Sequence, residues 1–167
     1  MLRSLLDKLY LASGVIAGFF LAAIAVVIGI QVVGRFWGFV FDSTEISGFF
    51  MAASTFLGLG YTFRQGGHVR VTLAVHVLKP AARRVSEFFC CLFGAALLLY
   101  LTWLAGAFAH ESFTYGDISP GLMAVPFWIP QSGMALGLLI MSIALIDSGV
   151  EILQGKPLAY DENVDAV

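Results

Sequence analysis

Charged positions along this chain fall in clusters, and the stretches between the clusters are long and apolar. Uncharged runs cover residues 9–34, 46–63, 88–109 and 118–146, which are 26, 18, 22 and 29 residues long. Each reaches the roughly 18–20 apolar residues a helix needs to cross about 30 Å of hydrocarbon. None alternates with a period of two, and a β-barrel would need many short alternating strands, so the pattern predicts an all-α membrane protein. The last run is too long for one straight span, and Pro120, Pro126 and Pro130 interrupt it. Proline suits a helix start rather than a helix middle. The predicted spans are therefore 10–34, 46–63, 86–109 and 130–149, with 121–129 an irregular or surface-lying lead-in and 150–167 a tail. All four belong to one membrane domain.

Two polar stretches carry patterns of their own. In the loop after the second span, Thr72, His76, Lys79 and Arg83 recur at helical spacing opposite Val71, Val75 and Leu78. This predicts a helix over 69–79 lying in the membrane interface, with His76, Lys79, Arg83 and Arg84 toward lipid headgroups. Val69, Val71, Leu73, Val75 and Val77 also alternate, but a lone strand at a membrane surface would have no partner for its backbone. Pro80 would end this helix and could start the third span. Before the second span, Asp42-Ser43-Thr44-Glu45 reads as a capping box with Glu45 in the dipole-favoured first turn. Glu45 either ends there as part of the cap, pairs with Arg35 across the short loop, or meets a partner.

Composition narrows the class. Apolar residues make up 59% of the 167 positions and charged residues 12%, about half the usual charged share. So short a chain cannot bury that much apolar surface in water. With 9 Lys+Arg against 11 Asp+Glu the net charge of -2 offers no nucleic-acid footprint. Arg3 and Lys8 before an apolar run resemble a secretory signal, yet the run is too long for one. Of the nine Lys and Arg, all but Arg35 fall in the N-terminal segment, the 64–87 loop or the tail. The positive-inside rule then places both termini in the cytoplasm and leaves Trp37, Trp103 and Trp128 toward the outer side, as an aromatic belt requires.

Candidate chemistry is sparse. The four uncharged runs hold no Asp, Glu, Lys, Arg or His, the usual marks of an ion path or substrate site in a membrane. No span is expected to carry a carboxylate, and none holds a His to ligate haem. His68, His76 and His110 lack metal-ligand spacing, and the adjacent Cys90 and Cys91 point apart on a helix and read as small buried residues. The expectation is no catalytic residue, no cofactor and no metal. What stands out instead are small residues at four-residue spacing: Gly14, Gly18 and Ala22 on the first helix, Gly133 and Gly137 on the fourth. Such faces let helices approach closely, either within the bundle or against another membrane subunit.

Several segments in register resemble the small membrane subunit, or Q subunit, of tripartite ATP-independent periplasmic (TRAP) transporters. They are Gln31-Val32-Val33-Gly34-Arg35-Phe36, Ser43-Thr44-Glu45, Gly58-Leu59-Gly60, Arg64-Gln65-Gly66-Gly67-His68-Val69-Arg70-Val71, and Val125-Pro126-Phe127-Trp128-Ile129-Pro130-Gln131 followed by Gly137. The resemblance runs from about residue 10 to residue 150, and Thr72 departs from it where the family commonly carries an acidic residue. It implies a sodium-coupled uptake system of the bacterial inner membrane for an organic acid or similar solute. In such a system a periplasmic solute-binding protein (P subunit) captures the solute and a large membrane subunit (M subunit) moves it. The small subunit supports the large one and helps form the docking surface. Arg35, Glu45, Gly14, Gly18, Gly133 and Gly137 are the candidate structural or partner contacts, with the lipid bilayer as the remaining surroundings. Two other readings stay open: a stand-alone small four-helix exporter, which would need a membrane carboxylate, and a membrane anchor subunit of a respiratory complex, which would need haem or quinone ligands.

Overall fold

A computed structural model of the chain describes residues 2–39, 41–66, 80–121 and 123–155. Four helices follow one another: α1 (Leu2–Phe36), α2 (Thr44–Arg64), α3 (Pro80–Tyr115) and α4 (Trp128–Leu153). Each is long and apolar enough to cross a membrane. The predicted interfacial segment, with His76 and Lys79, lies outside the described residues.

Every helix runs beyond its predicted span. α1 and α3 have 35 and 36 residues, about 52–54 Å at 1.5 Å per residue, well above the roughly 30 Å of hydrocarbon. Charge-free runs mark the part of a helix that lipid can surround, while the polar turns on either side still form intrahelical hydrogen bonds. Pro80 opens α3 at its first position, where its missing N–H costs nothing. Arg83 lies on the first turns of α3, 3.2 Å through Nε from Glu87 Oε1 one turn on, and Arg84 beside it is exposed. The expectation that no span holds a carboxylate fails at α4. Asp147 lies inside the predicted 130–149 span, Glu151 one turn further, and both side chains are largely buried.

The helices pack in the order α1, α2, α4, α3, with α1 touching α4 only slightly. The outer two each bury a single stripe. On α1 it is Leu6, Tyr10, Ser13, Ala17, Phe20, Ile24, Val27, Gln31 and Gly34, alternating steps of four and three; on α3 it is Cys91, Ala95, Leu98, Thr102, Ala105, Ala109 and Ser112 with the same steps. That spacing is the narrow seam of near-parallel helix pairs. α4, held between α2 and α3, reverses the pattern and leaves one outward stripe at Leu136, Leu139, Ile146, Val150 and Leu153.

Small residues set the contacts. A Cβ on Gly14 would lie 2.5 Å from Tyr61 Cγ, one on Gly60 would lie 2.7 Å from Ile140 Cγ2, and one on Gly137 would collide with the backbone of Phe56. Ser142, fully buried on α4, returns its hydroxyl to Leu139 O at 2.7 Å, and Ser13 bonds Tyr10 O at 2.9 Å, so neither leaves a polar group unmet at the interface. Gly14 and Gly137 are therefore spent on internal packing. Gly18 and Gly133, on the same predicted faces, have no atom within 4 Å of an added Cβ. Cys91 is buried as expected of it, but Cys90 is exposed.

Candidate functional site

The polar chemistry of the bundle lies at its two ends. At one end α2 terminates in Arg64, whose side chain is only 13% exposed. Its Nη1 donates to Glu151 Oε2 at 2.9 Å and stands 3.4 Å from Asp147 Oδ2, while Nη2 is 4.0 Å from Asp7 Oδ1. The guanidinium carbon lies 5.7 Å from the centroid of the buried Tyr10 ring, within cation–π range. Arg3 pairs with the other oxygen of Glu151, a carboxylate 5% exposed. Helical spacing makes this possible: Arg3, Asp7 and Tyr10 share one face of α1, and Asp147 and Glu151 share one face of α4. Two guanidiniums and three carboxylates thus tie three helix ends together.

None of these five charges was a candidate from the sequence. Arg64 looked like a loop cation, and Asp147 follows directly on the end of an uncharged run. One signal was available. Two carboxylates in the last turns of a helix oppose its dipole, as does a cation in the first turn of another. Asp147, Glu151 and Arg3 are all on the wrong ends by that rule, and each is offset by a partner on a different helix.

At the opposite end the predicted capping box does not form. Ser43 makes no side-chain cap; its hydroxyl donates across to Gln31 Oε1 on α1. Asp42 caps instead, its Oδ1 accepting from the Thr44 N–H at 3.0 Å and the Thr44 hydroxyl at 2.6 Å. These hydrogen bonds, with a smaller contribution from the Arg35 charge, hold the Asp42 carboxyl below its ordinary range. Arg35 itself is exposed, and no ion pair joins it to Glu45 among the described residues. Glu45 turns the other way, to the connection before α4, where its Oε2 accepts from Met123 N–H at 3.4 Å. A side chain at Gly121 would collide with that carboxylate.

This connection is a compact strap. Ser119 N–H donates to Val125 O at 2.9 Å and Phe127 N–H to Asp117 O at 3.1 Å, around an isolated bridge between Ile118 and Pro126. Ala124 takes the left-handed conformation at φ 47°, uncommon for a residue with a Cβ. Phe49 of α2 meets Phe127 edge-on at 6.4 Å. Among the described residues no group of three His, Cys, Asp or Glu is arranged to hold a metal.

The architecture is thus apolar through its middle and ionic at both ends. Residues 24–155 match the family model described as tripartite ATP-independent periplasmic transporters, DctQ component. The chain belongs to the DctQ family. It is similar to the ectoine TRAP transporter small permease protein TeaB of Halomonas elongata, 26% identical over 136 residues that cover 80% of this chain and 70% of that protein. This DctQ-family chain is accordingly a small membrane component of a TRAP transporter. The family match takes in Glu45, the strap, Arg64, Asp147 and Glu151, whereas Arg3, Asp7, Tyr10, Gly14 and Gly18 lie before its start.

Proposed function

We propose that this protein is the non-catalytic small subunit of a sodium-coupled, binding-protein-dependent TRAP uptake system for an organic acid or similar solute. It sits in a bacterial inner membrane with both termini in the cytoplasm. It supports the large M subunit, and its strap end contributes to the surface that the periplasmic P subunit meets. The observation that carries this reading is the distribution of polar groups. Moving a polar solute through hydrocarbon needs groups that replace its water, and coupling it to an ion needs a site near midplane. Here the largely buried charges Arg64, Asp147 and Glu151 stand toward one set of helix ends and engage one another, Glu45 at the other end engages the strap, and the Thr102 and Ser142 hydroxyls bond their own helix backbone. Among the described residues the chain offers packing surface and no continuous polar path.

The orientation is supported by charge. Arg3, Lys8, Arg64, Arg83 and Arg84 belong to the Arg64 end, and Arg35 to the other, as expected for a cytoplasmic Arg64 end. The deciding experiment is solute uptake in sealed vesicles, with this subunit alone and then with the large subunit and binding protein added. Sodium-driven accumulation is expected only from the full set. Accumulation by the isolated subunit would overturn the proposal in favour of the stand-alone exporter.

A further inference from the structure

We infer that the groove between α1, α2 and α4 at the strap end is a binding site for one phospholipid acyl chain, with preference for a zwitterionic headgroup that carries an ammonium. The groove encloses about 380 Å³. Its floor is α2 at Phe50, Ala53 and Leu57, its walls are Phe20 of α1 and Gly133 of α4, and Val125 of the strap closes one edge. At the Arg64 end α1 and α4 are tied by Arg3 and Glu151; here no hydrogen bond or ion pair joins them among the described residues, and space is left above α2.

The chemistry of the groove selects its occupant. Among the described lining residues Ser132 brings the one side-chain hydroxyl, and that hydroxyl already donates to Ile129 O at 2.7 Å. Water needs two to four polar partners, so the site is not a water site. A cavity of about 150 Å³ holds benzene, and on that scale a groove this size holds about 15 carbons, the content of a single acyl chain. Charge selects the headgroup. Among the described residues this end of the bundle carries Asp42, Glu45, Glu111 and Asp117 against Arg35. Glu45 stands one turn before Phe49 on the groove wall, and Asp42 is held ionised at the head of α2. An ammonium is attracted there, and a net-anionic headgroup is repelled.

The test uses the full chain, purified from membranes in mild detergent and read by native mass spectrometry. After detergent washing we expect one retained phospholipid per chain. On exchange against mixed vesicles, phosphatidylethanolamine should exceed phosphatidylglycerol by about fivefold, as for a charge effect of about one headgroup. Gly133→Leu places a side chain in the groove without meeting the present packing, and Ala53→Leu raises the floor. Each should lower retention at least about tenfold while helicity and monomer elution are unchanged, and Gly133→Ala should retain lipid. No retained lipid in the wild type, equal retention by the leucine variants, or preference for phosphatidylglycerol would overturn the inference. So would disulfide trapping of a Gly133→Cys chain, with Cys90 and Cys91 replaced, to a second copy in the absence of lipid. The measurement needs no partner subunit, so a failure of the uptake experiment leaves it standing.

Discussion

Removing the Arg64 guanidinium should be the most damaging single change in the protein, because three carboxylates face it and two of them have little water. Two unit charges 4 Å apart attract by about 4 kcal/mol at an effective dielectric of 20. Arg64 stands 2.9 Å from Glu151 and 3.4 Å from Asp147, whose side chains are 5% and 16% exposed. The gross interaction is thus several kcal/mol, set against a desolvation cost already incurred by bringing the ends together. Arg64→Leu leaves both carboxylates buried with only the half-exposed Arg3 beside them, and breaking such a pair from one side costs about 3–5 kcal/mol. The expected loss is about 3 kcal/mol, toward the low end because Arg3 remains. Asp7 adds little, being 58% exposed at 4.0 Å. Glu151→Gln keeps an acceptor for Arg64 and should cost about 1–2 kcal/mol. The assay is reversible denaturation of the purified chain in mixed micelles, run as a double-mutant cycle. The two changes should couple by about 1–3 kcal/mol. Strictly additive losses, or an Arg64→Leu loss below about 1 kcal/mol, would show that the charges are hydrated and that the network contributes nothing beyond a surface pair.

Three further predictions follow from other parts of the structure. Gly137→Leu should destabilise the bundle by more than the 1–3 kcal/mol usual for overpacking, since its side chain meets Phe56 backbone and not a movable side chain; Gly133→Leu should unfold at wild-type denaturant, and similar losses for both would disprove the assigned faces. In a chain with Cys90 and Cys91 replaced, a cysteine at Tyr115 should react with an impermeant thiol reagent outside sealed cells and one at Gln154 should not; the reverse pattern would invert the proposed orientation. The Asp42 cap should respond to acid late: a carboxyl held below its ordinary 3.8 stabilises the α2 start at all pH above that value and loses its effect only as pH falls through the lower folded value. The Thr44 amide resonance should therefore stay unchanged down to about pH 4, and movement centred near pH 5 would contradict the capping geometry.

What the sequence discloses and what it hides divide along a physical line. A helix in lipid must be apolar for its whole crossing, so 9–34, 46–63, 88–109 and 118–146 announce four helices without any knowledge of tertiary packing. Helix ends are another matter, because polar turns such as 2–8 and 150–153 read as tails until a partner for their charges is known. The Arg64 network spans 3 to 151 in sequence, and no local pattern joins α1 to α4. Glycine spacing is legible, but it names a stripe without saying what lies against it: Gly14 and Gly137 face neighbours, whereas Gly18 and Gly133 do not. Glu45 shows the same limit. The dipole rule explains its place in the first turn of α2, yet only the folded strap decides that its carboxylate goes to Met123 and not to Arg35.

The order of the helices bears on what such a subunit can do. Four helices in a square would share a central core, and each would hide two faces from its surroundings. Here α1 and α3 each contact one neighbour extensively, so most of their circumference is left to the membrane or to another protein, with Leu5, Val15, Phe19 and Val26 on α1 and Phe89, Phe93, Leu97 and Trp103 on α3 all exposed. Lipid tails are as apolar as these side chains, so exposure costs nothing in a bilayer, and further association there depends on close packing and polar contacts rather than on a hydrophobic drive. The groove beside Gly133 and the open Gly18 are where the backbone is barest. A row also needs its helices fixed against sliding, since apolar seams of one period allow register shifts. The Arg64 network and the Glu45–strap contact meet that need from opposite ends: the first ties α1, α2 and α4 at one level, and the second ties α2 to the start of α4 at the other. A panel fixed at both ends and plain between them suits the fixed support proposed above, and Arg64, Glu151 and Glu45 are the charges whose removal should loosen it.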